Sequence, residues 1–369
     1  MTFEERLADI LARMREAKLD AVVALHDGAH FIEKPNPVTV LTGFKSLGPV
    51  AAVLRSDGTT TLIVTPAWDA ERAAETCQQA RVVGAEDIAG ALAAALSNGA
   101  CNNAGLAGMR LLPSSIAERI ATALPSAQSA DKLVFDAART KTVEEIAHAR
   151  EATRIAELGY RHLLDIARPG MSEDELAVEL KWQMKTLGAD DNFLLLCGSP
   201  HNRAVQPSTG RRFQAGDIIL AEITPSVHGQ LAQICRTIVV GDASSELADK
   251  YALVVHAMDQ GIAAAKPGVP MSEVCRAINA VLEAQGYAEF CHPPHIRRRG
   301  HGLGFASMRP GDVALDNDTV LEPGMVFMIH PNQYLPETGY LLCGEPVVLT
   351  QHGAEPLTAQ KAALATVAA

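Results

Sequence analysis

The sequence predicts two domains: an α/β domain over residues 1–134, then a larger α+β domain over residues 135–369 made of two similar halves. Three observations predict this. Short apolar strands alternate with helical stretches through the first part of the chain. Residues 135–141 read as a linker, after which a long helix begins. Beyond it, one order of elements (helix, Pro-Gly turn, helix, strands) occurs twice, about a hundred residues apart. A chain of 369 residues is long enough for two sizeable cores.

Residues 3–18 carry Leu7, Ile10, Leu11 and Met14 on one helical stripe. Residues 20–25 form a short apolar strand. Residues 50–54 and 59–64 are two more strands, joined by the hairpin signal Arg55-Ser56-Asp57-Gly58. Residues 69–80, 88–97 and 114–124 read as helices. This domain holds no phosphate loop and no catalytic constellation, so its expected roles are structural.

Thr142-Val143-Glu144-Glu145 is a capping box opening a helix that runs to about residue 166. The repeat follows. Its first copy runs from Ile166 to Leu176 through Arg168-Pro169-Gly170-Met171-Ser172-Glu173, and its second from Ala264 to Val274 through Lys266-Pro267-Gly268-Val269-Pro270-Met271-Ser272-Glu273. Each is expected to lead into a Ser-capped helix that ends near a glycine (Gly188, Gly286) and then into strands. Two such units imply a pseudo-twofold domain with a site between its halves.

Composition narrows the function. The chain is 48% hydrophobic and 20% charged, ordinary for a globular protein. A net charge of −11 argues against nucleic acid as a partner. No apolar run reaches membrane-spanning length, and residues 1–6 do not open a signal peptide. Seven scattered cysteines without a CxxC pair argue for free thiols. The expected setting is cytoplasmic, with a small-molecule substrate, no nucleic acid and no membrane.

Candidate chemistry gathers in four stretches. Gly300-His301-Gly302 is a histidine between glycines, open to close approach. Glu222 and Gln233 lie on two strand-like runs about a turn near Val227-His228-Gly229. A hairpin centred at Val227/His228 sets Glu222 opposite Gln233. A second turn at residues 336–339, centred at Glu337/Thr338, sets His330 opposite Glu345. Opposed residues on antiparallel strands lie about 5 Å apart at Cβ, close enough to share a ligand. Cys235 and Cys343 read as buried packing.

Several motifs now stand in order: Gly216-Asp217-Ile218-Ile219-Leu220, the Arg236-Thr237 strand ending at Gly241, Arg299-Gly300-His301-Gly302-Leu303-Gly304, and Leu321-Glu322-Pro323-Gly324-Met325-Val326-Phe327 leading to His330-Pro331. By these, residues 140–355 resemble the creatinase/aminopeptidase P family. Residues 1–130 are similar to its N-terminal domain. The resemblance implies a pita-bread catalytic domain with pseudo-twofold helix–helix–sheet repeats, preceded by an α/β creatinase-type domain, and a homodimer.

The resemblance also implies, for the family's peptidases, a dimetal site of two Asp, one His and two Glu. Carried over position by position, Glu222 and Gln233 stand for the Asp pair, His301 for the His, and His330 and Glu345 for the Glu pair. Two divalent cations need anionic bridges to offset their repulsion, and Gln233 is neutral, so a dimetal centre is not expected. Two readings stay open. In one, His301, His330 and Glu345 hold a single Zn, Fe or Mn ion, with Glu222 or Gln233 assisting. In the other there is no metal, and His301, His330, Glu222 and Glu345 do the catalysis on a directly bound substrate.

Other departures bear on substrate. A family histidine after the first catalytic-domain strand corresponds to Val205, with His201 nearby as a replacement. A second family histidine corresponds to Met308. Arg309 beside it is a candidate for gripping a substrate carboxylate bidentately. Arg299, in the run Arg297-Arg298-Arg299, belongs to a candidate carboxylate funnel, and His292 and His295 are expected at its mouth. The leading expectation is a hydrolase of a C–N bond in a small, polar, carboxylate-bearing substrate. The alternatives are an Xaa-Pro-type metallopeptidase, a single-metal lyase and a non-catalytic binding member.

Overall fold

Helix α1 (Phe3–Glu16) opens under a capping box made by Thr2 and Glu5, and buries Ile10 and Met14. The structure, a computed structural model, describes residues 1–97, 101–304 and 308–369. It divides into two compact units at Arg139/Thr140.

In the first unit, β1 (Ala21–His26) is the fully buried centre of a six-stranded mixed sheet. It pairs antiparallel with β2 (Val50–Arg55), which pairs with β3 (Thr60–Val64). After α2 (Pro37–Thr42), α3 (Ala70–Thr76) and α4 (Ile88–Ser97), β4 (Arg81–Gly84) and β5 (Ala104–Ala107) extend the sheet. Helix α5 (Ser114–Ala123), β6 (Gln128–Ser129) and α6 (Asp131–Ala137) complete the unit in the order β4-β3-β2-β1-β5-β6. Both faces of β1 are covered, so Ala21–Leu25 are all apolar. Val22 and Ala24 join the core under α1, α2 and α6. Ala21, Val23 and Leu25 join the core under α4 and α5. The expected linker is partly helical, because α6 occupies its first three residues.

His26 ends β1 with no exposed surface. Burial, then the neighbouring His30, lowers its pKa from 6.5 to about 4, with Asp27 opposing and Lys34 assisting. The folded unit therefore prefers neutral His26. Its contribution is complete above the unfolded pKa near 6.5 and is lost as pH falls toward 4, up to about 3 kcal/mol. Urea midpoints across pH 4–7 should fall more steeply for the native chain than for His26→Gln. Equal slopes would refute the assignment.

The second unit starts with α7 (Val143–Ile166), whose Thr142–Glu145 capping box forms as expected. Helix α8 (Glu173–Thr186) is capped by Ser172 and Glu175. Strands β7 (Asp191–Ser199), β8 (Ile218–Val227), β9 (Gln230–Leu231) and β10 (Ile234–Val240) follow. The second copy supplies α9 (Ser245–Ala264), α10 (Met271–Ala284), β11 (Gly300–Gly302) and β12 (Val326–Ile329). A small hairpin, β13 (Gln333–Leu335) with β14 (Gly339–Leu341), precedes β15 (Glu345–Thr350), β16 (Gly353–Pro356) and β17 (Ala365–Val367). One sheet runs β17-β10-β8-β7 and the other β11-β12-β15-β16. The repeated helix–helix–sheet order is the pseudo-twofold expected.

One detail of the repeat differs. Ser272 does not cap α10, which starts after Pro270. The N–H groups of Met271 and Ser272 instead donate to the carbonyls of Thr319 and Asn317, at 3.0 and 2.8 Å. A neighbouring loop satisfies the helix end, so no side-chain cap is needed.

Packing assigns a face to every strand residue. Ile219, Ala221 and Ile223 of β8, with Ile234, Ile238 and Val240 of β10, pack in one core with α7 and α8. Glu222, Gln233 and Cys235 fall by alternation on the other face. Arg236 falls with the helices, its guanidinium 5.5 Å from the Tyr160 ring centroid on α7.

Candidate functional site

The β8–β10 ladder sets Glu222 opposite Cys235, two residues from the expected partner, because the turn lies at His228-Gly229. Gln233 sits just before β10 and reaches Glu222 diagonally. Its Nε2 donates to Glu222 Oε1. Gln233 is buried and Glu222 half-buried; the Gln233 Oε1 has no hydrogen-bond partner.

Gly300 is required where it stands. Its φ is +150°, and a Cβ there would lie 1.9 Å from the Met328 carbonyl oxygen. That contact lets β11 join β12, setting His301 opposite Met328. The His330 N–H donates to the Arg299 carbonyl at 2.9 Å and carries the ladder one step further. The His301 and His330 rings meet edge to face, with centroids 5.3 Å apart. Both are buried. Burial first, then His301 and the cations Arg298 and Arg299, holds His330 well below the usual histidine range. His330 Nδ1 has no hydrogen-bond partner. His301 Nδ1 lies 3.0 Å from the Gly302 carbonyl, which can only accept. The neutral tautomer thus carries its proton on Nδ1 and a lone pair on Nε2.

The expected pairing of His330 with Glu345 is corrected. Ile329, not His330, lies opposite Glu345. A one-residue change of register turns every side chain to the other face. The residue beneath His330 is Gly344, where a Cβ would come within 2.6 Å of His330 Cβ and 2.5 Å of Met328 Cε. Glu345 turns to the helix side. Its Oε1 meets Arg236 Nη2 at 3.0 Å and accepts from the Ala362 N–H at 2.8 Å. Burial raises its pKa, and Arg236 opposes that rise. Glu345 is therefore neither a catalytic partner of His301 and His330 nor their co-ligand.

Gly344→Ala should cost about 1–3 kcal/mol by overpacking. The methionine methyl can yield, but the His330 Cβ is held by its backbone. A urea midpoint unchanged from the native chain would show that the contact is relieved elsewhere.

The two sheets meet here. Cys235 bridges to Gly344, its N–H donating to the Gly344 carbonyl at 3.2 Å. The Glu222–Gln233 pair and the imidazole pair thus share one neighbourhood. Tyr340 adjoins it and had no signal in the sequence beyond its place after a turn. Burial and the Glu222 charge push its phenol well up. Gly344 was missed because the expected turn centre set Glu345, one residue further on, opposite His330. The polar Asn332 was also missed; its Oδ1 accepts from the Cys343 N–H at 3.1 Å.

Of the three proposed substrate contacts, Arg299 is buried and His201 and Arg309 are exposed. Arg299 is buried and donates to neutral acceptors: Asn279 Oδ1 at 2.7 Å, the Asn332 carbonyl at 3.1 Å and Gln333 Oε1 at 3.0 Å. It braces the strands from within the core. Arg298 pairs with Asp312 at 3.0 Å, with Arg297 4.0 Å from the same carboxylate, so the arginine run is no funnel. His201 is exposed, its Nε2 3.1 Å from the Pro336 carbonyl and its ring edge-on to Tyr334. His295 stacks on the same tyrosine. Arg309 is exposed. Phe305, which follows the Arg299–Gly304 motif, lies outside the described residues. Cys235 and Cys343 are buried, as expected, and burial pushes the Cys343 thiol up to about 12.

Comparison with known proteins gives the lineage. The profile of Metallopeptidase family M24 matches residues 147–351. The chain belongs to metallopeptidase family M24. The M24 domain is preceded by a match to the Creatinase/Prolidase N-terminal domain over residues 6–141. An uncharacterized peptidase, YqhT, of Bacillus subtilis is 30% identical over 64% of this chain and 65% of its own length. An Xaa-Pro dipeptidase of Pyrococcus furiosus is 28% identical over 62% of this chain and 65% of its own. The match thus spans just under two thirds of the length of these relatives. An Xaa-Pro dipeptidase from Bacillus anthracis superposes with a TM-score of 0.85 over 99% of this M24 chain and 100% of its own, at 22% identity. That likeness speaks for the fold.

Membership in this family supports a divalent metal, so the donors of this chain are the test. Gln233 is an amide bonded to Glu222, Gly344 brings no donor, and Glu345 is held by Arg236. Among the described residues no three His, Cys, Asp or Glu side chains converge on a metal position. These residues do not fit a dimetal centre, and the single-ion set His301, His330 and Glu345 is not assembled. Among the described residues no helix is long and apolar enough to cross a membrane.

Proposed function

We propose that this chain hydrolyses a C–N bond in a small, carboxylate-bearing, peptide-like substrate, with its own side chains as acid and base. The observation that carries the reading is the buried imidazole pair, His301 and His330, beside the Glu222–Gln233 pair in an M24 domain. His301 Nε2 takes the proton of the attacking water. His330, neutral because its charge is poorly solvated, accepts from the water through Nδ1, and the protonated His301 passes the water's proton on to the leaving nitrogen. Glu222, fixed by the Gln233 amide, orients the substrate. The family name and the Xaa-Pro dipeptidase relatives make Xaa-Pro dipeptides the first substrates to test.

The test is turnover of Xaa-Pro dipeptides, other dipeptides, guanidino acids and cyclic amidines, before and after dialysis against EDTA, with metal analysis of the same samples. Turnover that survives chelation is expected. About two metal ions per chain, with turnover lost on their removal, would overturn the reading.

A further inference from the structure

The turning of Glu345 away from the imidazoles leaves one of its oxygens unexplained. Oε2 is buried and has no hydrogen-bond partner. Thr358, which lines the same cavity, lowers the carboxyl's pKa through its side chain. Glu345 also lines a cavity of about 580 Å³, on the face of β15 opposite His330, within the range of small-molecule sites. Its walls are apolar where α9 passes, at Met258 and Ile262, and Pro356 faces them from β16. At the rim stands the exposed Lys266, which has no ion-pair partner among the described residues. The other rim lysine, Lys361, is held by Asp259 at 2.6 Å.

We propose that this cavity binds a free amino acid with an apolar side chain. Its ammonium group donates to Glu345 Oε2, its carboxylate meets Lys266, and its side chain lies against Met258 and Ile262. The charges select this class. A bare cation would face Arg236, 3.0 Å from the same carboxylate, and the rim lysine. A simple anion would face the unpaired oxygen at the floor. Only a molecule with a donor at one end and an anion at the other satisfies both, and the apolar walls call for a hydrocarbon between or beside them. This does not depend on the reaction proposed above.

Calorimetric titration of the full chain with L-leucine, L-proline and glycine tests it, with N-acetyl-leucine and leucine amide as controls. Saturable binding of L-leucine, tighter than glycine and absent for both blocked forms, is expected. Lys266→Glu should weaken it by about tenfold through loss of one charge-assisted contact and gain of repulsion. Ala359→Trp, at an exposed rim position, should abolish it by filling the entrance. Binding must persist in His301→Ala, which leaves this face intact. No binding at millimolar leucine overturns the proposal, as does binding indifferent to both rim variants. Equal binding of the blocked forms, or loss of binding in His301→Ala, overturns it too, the last by assigning the ligand to the imidazole site.

Discussion

His301→Ala is expected to lower kcat/KM on the best substrate by about a thousandfold, within the range that a positioned general base supplies. The expectation rests on geometry. The Gly302 carbonyl accepts from Nδ1, which places the lone pair of the neutral ring on Nε2, and the edge-to-face His330 ring fixes the plane. Alanine removes the base without introducing a clash, since Gly300 still joins β11 to β12. Circular dichroism and the urea midpoint should therefore change little. His301→Gln restores hydrogen bonding but not proton transfer, and should be nearly as slow as alanine. Activity within about tenfold of the native chain, in a folded variant, would remove His301 from the chemistry.

Arg236→Met is expected to destabilise the second unit by about 3–5 kcal/mol, the cost of leaving one partner of a buried ion pair behind. Both members are almost fully buried, at 3% and 1% exposure. Arg236 does more than neutralise Glu345. Its Nη1 also donates to the Gly344 carbonyl at 2.9 Å and the Cys235 carbonyl at 3.0 Å, which stitches the two sheets beneath the site. Equilibrium urea unfolding measures the loss. The double variant Arg236→Met/Glu345→Leu should recover a large part of it, because no charge is then stranded. If the single variant loses less than about 1 kcal/mol, the pair is not acting as a desolvated bridge.

The repeat was legible because helix–turn–helix signals are local. Capping boxes at Thr142 and Ser172, and the Pro-Gly turns after α7 and α9, act within a few residues. The failure at Ser272 has the opposite character, since carbonyls of Asn317 and Thr319, distant in sequence, replaced the cap. The buried role of Arg299 was illegible for a similar reason. Its acceptors come from α10 and the approach to β13, so the run Arg297-Arg298-Arg299 looked like one charged surface when only part of it is.

By itself the sequence determined the order of helices and strands and the stretches that carry Glu222, Gln233, His301 and His330. These follow from residue identity and local periodicity. The tertiary structure alone decided which side chains face one another. The β12–β15 register set Gly344 under His330 and sent Glu345 to Arg236 on the helix side. A strand's faces alternate residue by residue, so one position separates a catalytic carboxylate from a structural ion pair. That position is set by how the β13–β14 hairpin closes and by the Cys235–Gly344 bridge between sheets, contacts that no local pattern records.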